Sequence, residues 1–409
     1  MPNDVVLAQA ARRGRPFLLY TLIIVISFAA GWWMSQMFPG TSPFLKRSPQ
    51  GGQLDQSVVQ QASRIVQANY YDSNVTGRQL TQGSVNGMVG SLNDSFSQYL
   101  TPEQYRSLQD SLAGRHTGAI GISIDFQNGY PVVAGVLPNS PALHQGVQTD
   151  DVILQVNGED TYGLTAGQTS ALLRGANGSK VRLLLGRPTT RTELTITREQ
   201  FQSPTVESIR LPNDVLYLRV YQFGSETEKE FDSQLAVGLA GARGAVLDLR
   251  DNGGGQVSAA VAMVSRFVDN GVVLEERGRT GRSNRVLVDG HHPAAGLPLV
   301  VLVNHNSASS SEIVAGSLQA HRRSELVGSK TFGKGSVQVA YALGDGSAIN
   351  LTVQQWTLPD GRSINGTGLN PDETIALPGP SSMFDVVQPS RGYSGDTQLQ
   401  RALQILSGS

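Results

Sequence analysis

Two short segments hold the side chains with the most chemistry to offer. The first, N-H-N-S-A-S-S-S-E from Asn304 to Glu312, gathers the hydroxyls of Ser307, Ser309, Ser310 and Ser311. It follows an apolar, strand-like run from Pro298 to Val303 and opens a helix-like run from Ser311 to Ala320. The second, G-K-G-S-V-Q from Gly333 to Gln338, sets a lone lysine between two glycines. A serine hydroxyl is a weak nucleophile until a base takes its proton. Lysine can be that base only when neutral. Its reference pKa is about 10.4, so work near pH 7 needs a drop of about three units, or roughly 4 kcal/mol, which burial can supply. Lys334 has Phe332 and Val337 nearby and no adjacent acid in the chain. Gln338, four residues on, returns to the same face of a strand or helix and can orient the amine without charging it. Ser309 and Lys334 are therefore the expected nucleophile and base of a serine hydrolase.

The usual base, histidine, has weaker claims. His305 precedes the serines on the same turn, and His291 and His292 sit in a polar loop without metal-binding spacing. An acyl-transfer site also needs donors for the developing oxyanion. Arg250-Asp251-Asn252-Gly253-Gly254-Gly255 follows an apolar strand-like run, and its glycines free backbone N–H groups to face a ligand. The N-terminus of the helix after Ser309 offers further amides. Two blander readings stand beside these. Ser310 or Ser311 serves only as a helix cap. The run from Gly328 to Lys334 nearly spells a phosphate loop, but Gly335 stands where Ser or Thr is required.

These residues sit in a chain of 409 residues with a formal net charge of −1, 16% charged residues, 46 glycines and no cysteine. The length accommodates about two or three domains. The near-neutral charge gives no footprint for nucleic acid. Without cysteine there is no thiol catalysis, disulfide or zinc–thiolate site. Residues 17–38 carry no charge and follow Arg12, Arg13 and Arg15. That is long enough to span a bilayer core of about 30 Å with the short 1–16 segment inside. The stretch Ser27-Phe28-Ala29 also fits a cleaved signal peptide. Either way the remainder is expected outside the cytoplasm, in the cell envelope or secreted.

The elements that must position the site follow. Residues 39–53 read as a tether. Helical spacing begins at Leu54 and recurs over Gln82–Leu92 and Pro102–Leu112, so 54–112 is expected to be a helical unit. Alternation at Ile120, Ile122, Ile124 and Phe126 opens a region of short strands with helices near Pro141–Gln145 and Ala166–Leu173. Residues 113–199 thus read as a small, partly open β-barrel. From about 200 to 378, strand-like Val215–Tyr221, Gly244–Leu249, Pro298–Val303 and Ala348–Gln355 alternate with helical segments, as in an α/β sheet. Residues 379–409 end in a short amphipathic helix, Gln398–Leu406, expected to serve packing or a homodimer contact.

The motifs D-L-R-D-N-G-G-G, N-S-A-S-S-S-E, G-S-K-T-F-G-K-G-S-V-Q and L-P-D-G-R-S-I-N-G-T-G-L-N-P-D occur in order, preceded by S-L-N-D-S-F-S-Q-Y-L-T-P-E-Q-Y. The chain from residue 54 onward resembles the carboxyl-terminal processing peptidases of the S41 serine protease family. The resemblance implies an α/β protease core with an inserted PDZ domain and helical ends. It implies Ser309 as nucleophile, Lys334 as base and Gln338 as the lysine-orienting glutamine. Oxyanion donors would be a backbone N–H among Gly253, Gly254 and Gly255 and the N–H of Ser310, which here stands in a position usually held by alanine. In the PDZ domain, Ala119-Ile120-Gly121-Ile122 would form the carboxylate-binding loop, and Ala166–Leu173 the groove helix. The expected substrates are proteins or peptides with exposed C-terminal tails. The resemblance also admits gating by the PDZ domain and an adaptor or activator protein, and calls for no cofactor and no metal. The competing reading from another class is a catalytically silent tail-binding scaffold or chaperone.

Overall fold

The structure is a computed structural model that describes residues 54–113, 115–379, 382–387, 389 and 392–408. The apolar 17–38 segment and the 39–53 tether lie outside the described residues. Among the described residues no helix is long and apolar enough to cross a membrane.

The chain divides near residue 84 into two units. The first is built on helix α1 (Gln56–Asn69), which starts where the Asp55 carboxylate accepts the Ser57 N–H at 3.0 Å. Val58, Ile65 and Val66 on this helix are exposed. Helix α2 (Gly77–Gly90) runs on into the second unit. It starts five residues earlier than its apolar spacing indicates.

The second unit opens with a short strand, β1 (Gln98–Leu100), and helix α3 (Pro102–Leu112). Thr101 and Gln104 close a capping box on α3, and Pro102 sits in the first turn, where its missing N–H costs nothing. Strand β2 (Arg115–Ala119) then leads into a six-stranded antiparallel sheet. Its strands are β3 (Ile122–Gln127), β4 (Tyr130–Val136), β5 (Val152–Val156), β6 (Glu159–Asp160), β7 (Lys180–Gly186) and β8 (Arg191–Thr197). Helices α4 (Pro141–His144) and α5 (Ala166–Leu173) accompany it. Val133, Ile153, Leu183 and Ile196 fill its own core. Strand β9 (Glu199–Gln202) pairs back with β2 and closes this module.

A second six-stranded sheet follows. Its strands are β10 (Val206–Leu211), β11 (Val215–Val220), β12 (Gly244–Asp248), β15 (Leu299–Val303), β16 (Glu325–Gly328) and β19 (Glu373–Thr374), in that order. All pairs are parallel except β10 with β11. Strands β12 and β15 are buried at every position, as their unbroken apolar runs require of a sheet covered on both faces. One face packs on helices α6 (Thr227–Leu239), α7 (Val257–Ser265) and α8 (Ser310–Ala320) through Phe231, Met263, Phe267 and Ile313. The other face is covered by helix α9 (Thr397–Ser407), which buries Leu399 and Ala402 against Tyr217, Val246 and Val300. Packing within the chain thus uses much of the apolar side of the C-terminal helix, with Leu403, Ile405 and Leu406 partly buried against the same core.

An antiparallel sheet completes the unit: β1, β18 (Ala348–Thr357), β13 (Val272–Gly278) and β14 (Ser283–Leu287), with β17 (Ser336–Ala342) along β18. Strands β13 and β14 carry many polar and charged residues that mask any alternation. β17 sits immediately after Lys334.

Candidate active site

Strand β15 ends at Val303, and the chain turns through Asn304–Ala308 into helix α8. Ser309 occupies the corner with φ 55° and ψ −114°, a conformation that costs a non-glycine residue about 1–3 kcal/mol. The surroundings hold it there. The Ser309 N–H donates to Glu312 at 2.9 Å, and the Ala308 N–H donates to the Asn252 carbonyl at 3.0 Å.

The four hydroxyls of this turn differ in what they do. Ser307 Oγ donates to the Leu249 carbonyl at 2.8 Å, Ser310 Oγ to Gly255 at 3.0 Å and Ser311 Oγ to Asn252 at 2.7 Å. All three residues are fully buried. They stitch the elbow to the glycine loop and cannot meet a substrate. Ser309 alone keeps a half-exposed side chain.

The glycine loop lies directly against this corner. A Cβ at Gly254 (φ +96°) would stand 2.8 Å from Ser309 Cβ and 2.9 Å from the Ser310 nitrogen, so only glycine fits. A Cβ at Gly255 would stand 2.0 Å from the Phe223 carbonyl oxygen, while one at Gly253 meets open space. The Gly254 N–H is occupied by the Asn252 side chain at 2.9 Å. Of the expected oxyanion donors, Gly254 and Ser310 are therefore beside the serine, but the Gly254 amide is already engaged. Beneath the loop, Arg250 is fully buried between Asp248, Asp396 and Gln398. Arg219 pairs with Asp248 at 2.7 Å. Burial alone would raise the Asp248 carboxyl, but the two arginines hold it down at about 2. The C-terminal helix thus reaches under the active loop.

Lys334 is brought to the elbow by Glu312, which is fully buried on α8. One oxygen of its carboxylate accepts the Gly333 N–H at 2.7 Å and the Thr331 hydroxyl at 2.6 Å. The other accepts the N–H groups of Ser309 and Lys334, both at 2.9 Å. Such charge-assisted bonds offset the cost of burying an acid. Glu312 therefore ties both candidate residues to one carboxylate. The S-x-x-E spacing from Ser309 to Glu312 is a capping-box signature that could have revealed it. The glycines flanking Lys334 admit a close neighbour: a Cβ at Gly333 would stand 2.7 Å from the Gly368 nitrogen, and one at Gly335 2.8 Å from Asn365 Cβ. Of the amides that a phosphate loop would offer an anion, those of Gly333 and Lys334 are occupied by Glu312, and those of Ser329, Thr331 and Phe332 by backbone carbonyls.

Burial lowers the Lys334 pKa from its ordinary value, while Asp94 and Glu312 pull it back up. The chain around Lys334 carries no acid, but folding brings these two close. The aromatic neighbour also differs from expectation. Phe332 is exposed, and the Lys334 ammonium instead lies over the Phe96 ring, 5.1 Å from its centre. Lys334 Nζ makes no hydrogen bond to Ser309 or to Gln338 among the described residues. Gln338 Nε2 donates to Ser336 Oγ at 2.9 Å and Thr352 Oγ1 at 3.0 Å. The pairing of β17 with β18 shifts register between Val337 and Gln338, with the extra residue, Val353, on β18. That sets Gln338 opposite Thr352.

In the antiparallel module, Ala119 ends β2, Ile120 is buried, Gly121 takes φ +82° and Ile122 starts β3. A Cβ at Gly121 would stand 2.2 Å from Ser140 Cβ. An apolar groove lined by Ile122, Ile124, Ser170 and Leu173 runs from this turn, with Arg174 also on its wall.

A parallel α/β core with a strained serine elbow against a glycine loop, carrying an inserted antiparallel module, is the build of a serine-type peptidase. The model of peptidase family S41 matches residues 214–375, a PDZ domain model matches 132–187, and the activating protease CtpB N-terminal domain model matches 40–104. The chain is 30% identical over 386 residues to the carboxy-terminal processing protease CtpA of Bacillus subtilis, covering 94% of this chain and 82% of that one. It is 32% identical to a probable CtpA-like serine protease of Staphylococcus haemolyticus, covering 85% and 70%. The solved structure of the photosystem II D1 C-terminal processing protease is similar at 28% identity and a TM-score of 0.58, over 85% of this chain and 99% of that one. The chain belongs to peptidase family S41, among the carboxy-terminal processing serine proteases.

Proposed function

We propose that the protein cleaves protein substrates through a Ser309–Lys334 dyad and selects them by their C-terminal tails. The observation that carries this reading is the division of labour in the serine turn. Three hydroxyls are buried donors to backbone carbonyls, and the fourth, Ser309, is half-exposed on a strained corner tied through Glu312 to the lysine loop. Neutral Lys334 takes the Ser309 Oγ proton as Oγ adds to the scissile carbonyl carbon. The oxyanion is met by the Ser310 amide and one backbone N–H of the 253–255 loop. The C–N bond then breaks, and the lysine ammonium returns its proton to the leaving amine. Water, activated the same way, hydrolyses the ester. Gln338, held through Nε2 by Ser336 and Thr352, keeps its Oε1 to accept from the lysine amine.

The tail enters the groove beside Ala119–Ile122, where β3 can pair with an added strand and Ile122, Ile124 and Leu173 receive an apolar terminal side chain. Residues 17–38 anchor the protein, or are removed on export, with the catalytic part in the cell envelope. Ser309→Ala and Lys334→Ala should each abolish cleavage of casein while leaving the folded signal intact. Retained cleavage in either variant reassigns that role, and casein untouched by the wild type favours the tail-binding scaffold.

A further inference from the structure

The turn from Asp94 to Ser97 precedes β1, far in sequence from both active segments, yet it packs on the lysine. Phe96 presents its ring to the ammonium at 5.1 Å. Ser97 Oγ donates to Asp94 at 2.5 Å and accepts the Thr352 N–H at 3.0 Å. The Thr352 hydroxyl accepts Gln338 Nε2 at 3.0 Å. Asp94 is held below its ordinary value by hydrogen bonds from Ser97 and then the Thr352 side chain. One polar chain therefore runs from Asp94 through Thr352 to Gln338, and the ring beside it occupies the lysine. In this arrangement no hydrogen bond joins Nζ to Ser309 or to Gln338 among the described residues.

We propose that Phe96 and Asp94 are positioning residues for the base: Phe96 seats Lys334 as an ammonium, and Asp94, through Thr352, fixes the Gln338 side chain by its Nε2. The described geometry is then the resting arrangement, and catalysis requires the turn to release the lysine. The proposal rests on the Ser309–Lys334 reading. A ring face attracts a cation and not a neutral amine. Asp94 on the turn and Glu312 on α8 are the charged groups acting on Nζ, and both also favour the charged form.

The test is the pH profile of kcat/KM on an unstructured substrate, with Lys334→Ala assayed first. Activity retained in that variant sinks the dyad itself. With the dyad upheld, Phe96→Leu should move the acid limb to lower pH by about half a unit to one and a half units, the size of a partly buried cation–π contact. Asp94→Asn should move it in the same direction, and Phe96→Tyr should restore the wild-type limb. An unmoved limb in both Phe96→Leu and Asp94→Asn, with the rate lowered evenly across pH, assigns the turn a merely structural part and overturns the proposal. A fall in melting temperature that accompanies an unmoved limb counts against it equally.

Discussion

Arg250 and Lys334 are both cations withdrawn from water within the same unit, and the fold treats them oppositely. Arg250 is saturated. It shares forked hydrogen bonds with Asp248 and Asp396 and a further bond with Gln398, and these acids raise its pKa against the effect of burial. Lys334 has its backbone bonded but its ammonium left with a ring face and two acids at longer range, and burial lowers its pKa. A charge satisfied on every side is a structural tie, with nothing left to give a substrate. A charge left short of partners is poised to lose its proton. The two sites are joined through one loop: Arg250 fixes the base of the 250–255 turn, and Gly254 at its tip touches Ser309.

The strongest way to break that contrast is to make the saturated site resemble the unsaturated one. Asp396→Ala leaves Arg250 buried with one carboxylate fewer and should cost about 3–5 kcal/mol of stability. Urea unfolding would measure it, and a loss below about 1 kcal/mol would show that the arginine finds other partners. Asp248 predicts the pH window of the same site. Its carboxyl sits at about 2, below its ordinary 3.8, so its contribution is present above pH 3.8 and fades as pH falls towards 2. Acid unfolding of Asp248→Asn should lose that component.

Glu312→Gln is intermediate. An amide replaces one accepting oxygen with a donor, facing N–H groups that then have no acceptor, at a cost of about 1–3 kcal/mol. Cleavage should fall more than stability, because both Ser309 and Lys334 lose a shared anchor. Equal retention of rate would mean that the elbow holds itself. The smallest effect, and of opposite sign, belongs to Lys334→Met. The folded protein binds the lysine proton less readily than the unfolded chain, so the charged form costs stability at neutral pH. The variant should therefore melt higher than the wild type at pH 7, with the gain shrinking as pH rises towards 10.5. A variant that melts lower at every pH would mean that the ammonium is well satisfied after all.

Much of this was legible in the chain. The parallel core strands announced themselves as unbroken apolar runs, and α3, α5 and α8 begin where Thr101, Thr165 and Ser309 stop the preceding segment. Strands β13 and β14 escaped because polar, half-exposed sheet lacks a clean alternation. The four-residue count from Lys334 to Gln338 gave no sign of Ser336 and Thr352, which hold the Gln338 Nε2.

Local order is what the sequence determined: a serine on a strand-to-helix corner, glycines where backbones must touch and a lysine hemmed by small residues. Those follow from steric rules acting over a few residues. Tertiary structure decided which hydroxyl stays open, which ring and acids surround the lysine, and which helix carries the counter-charge for Arg250. Burial and Coulomb forces act through space, and Phe96, Glu312 and Asp396 reach their partners only when the sheets have closed.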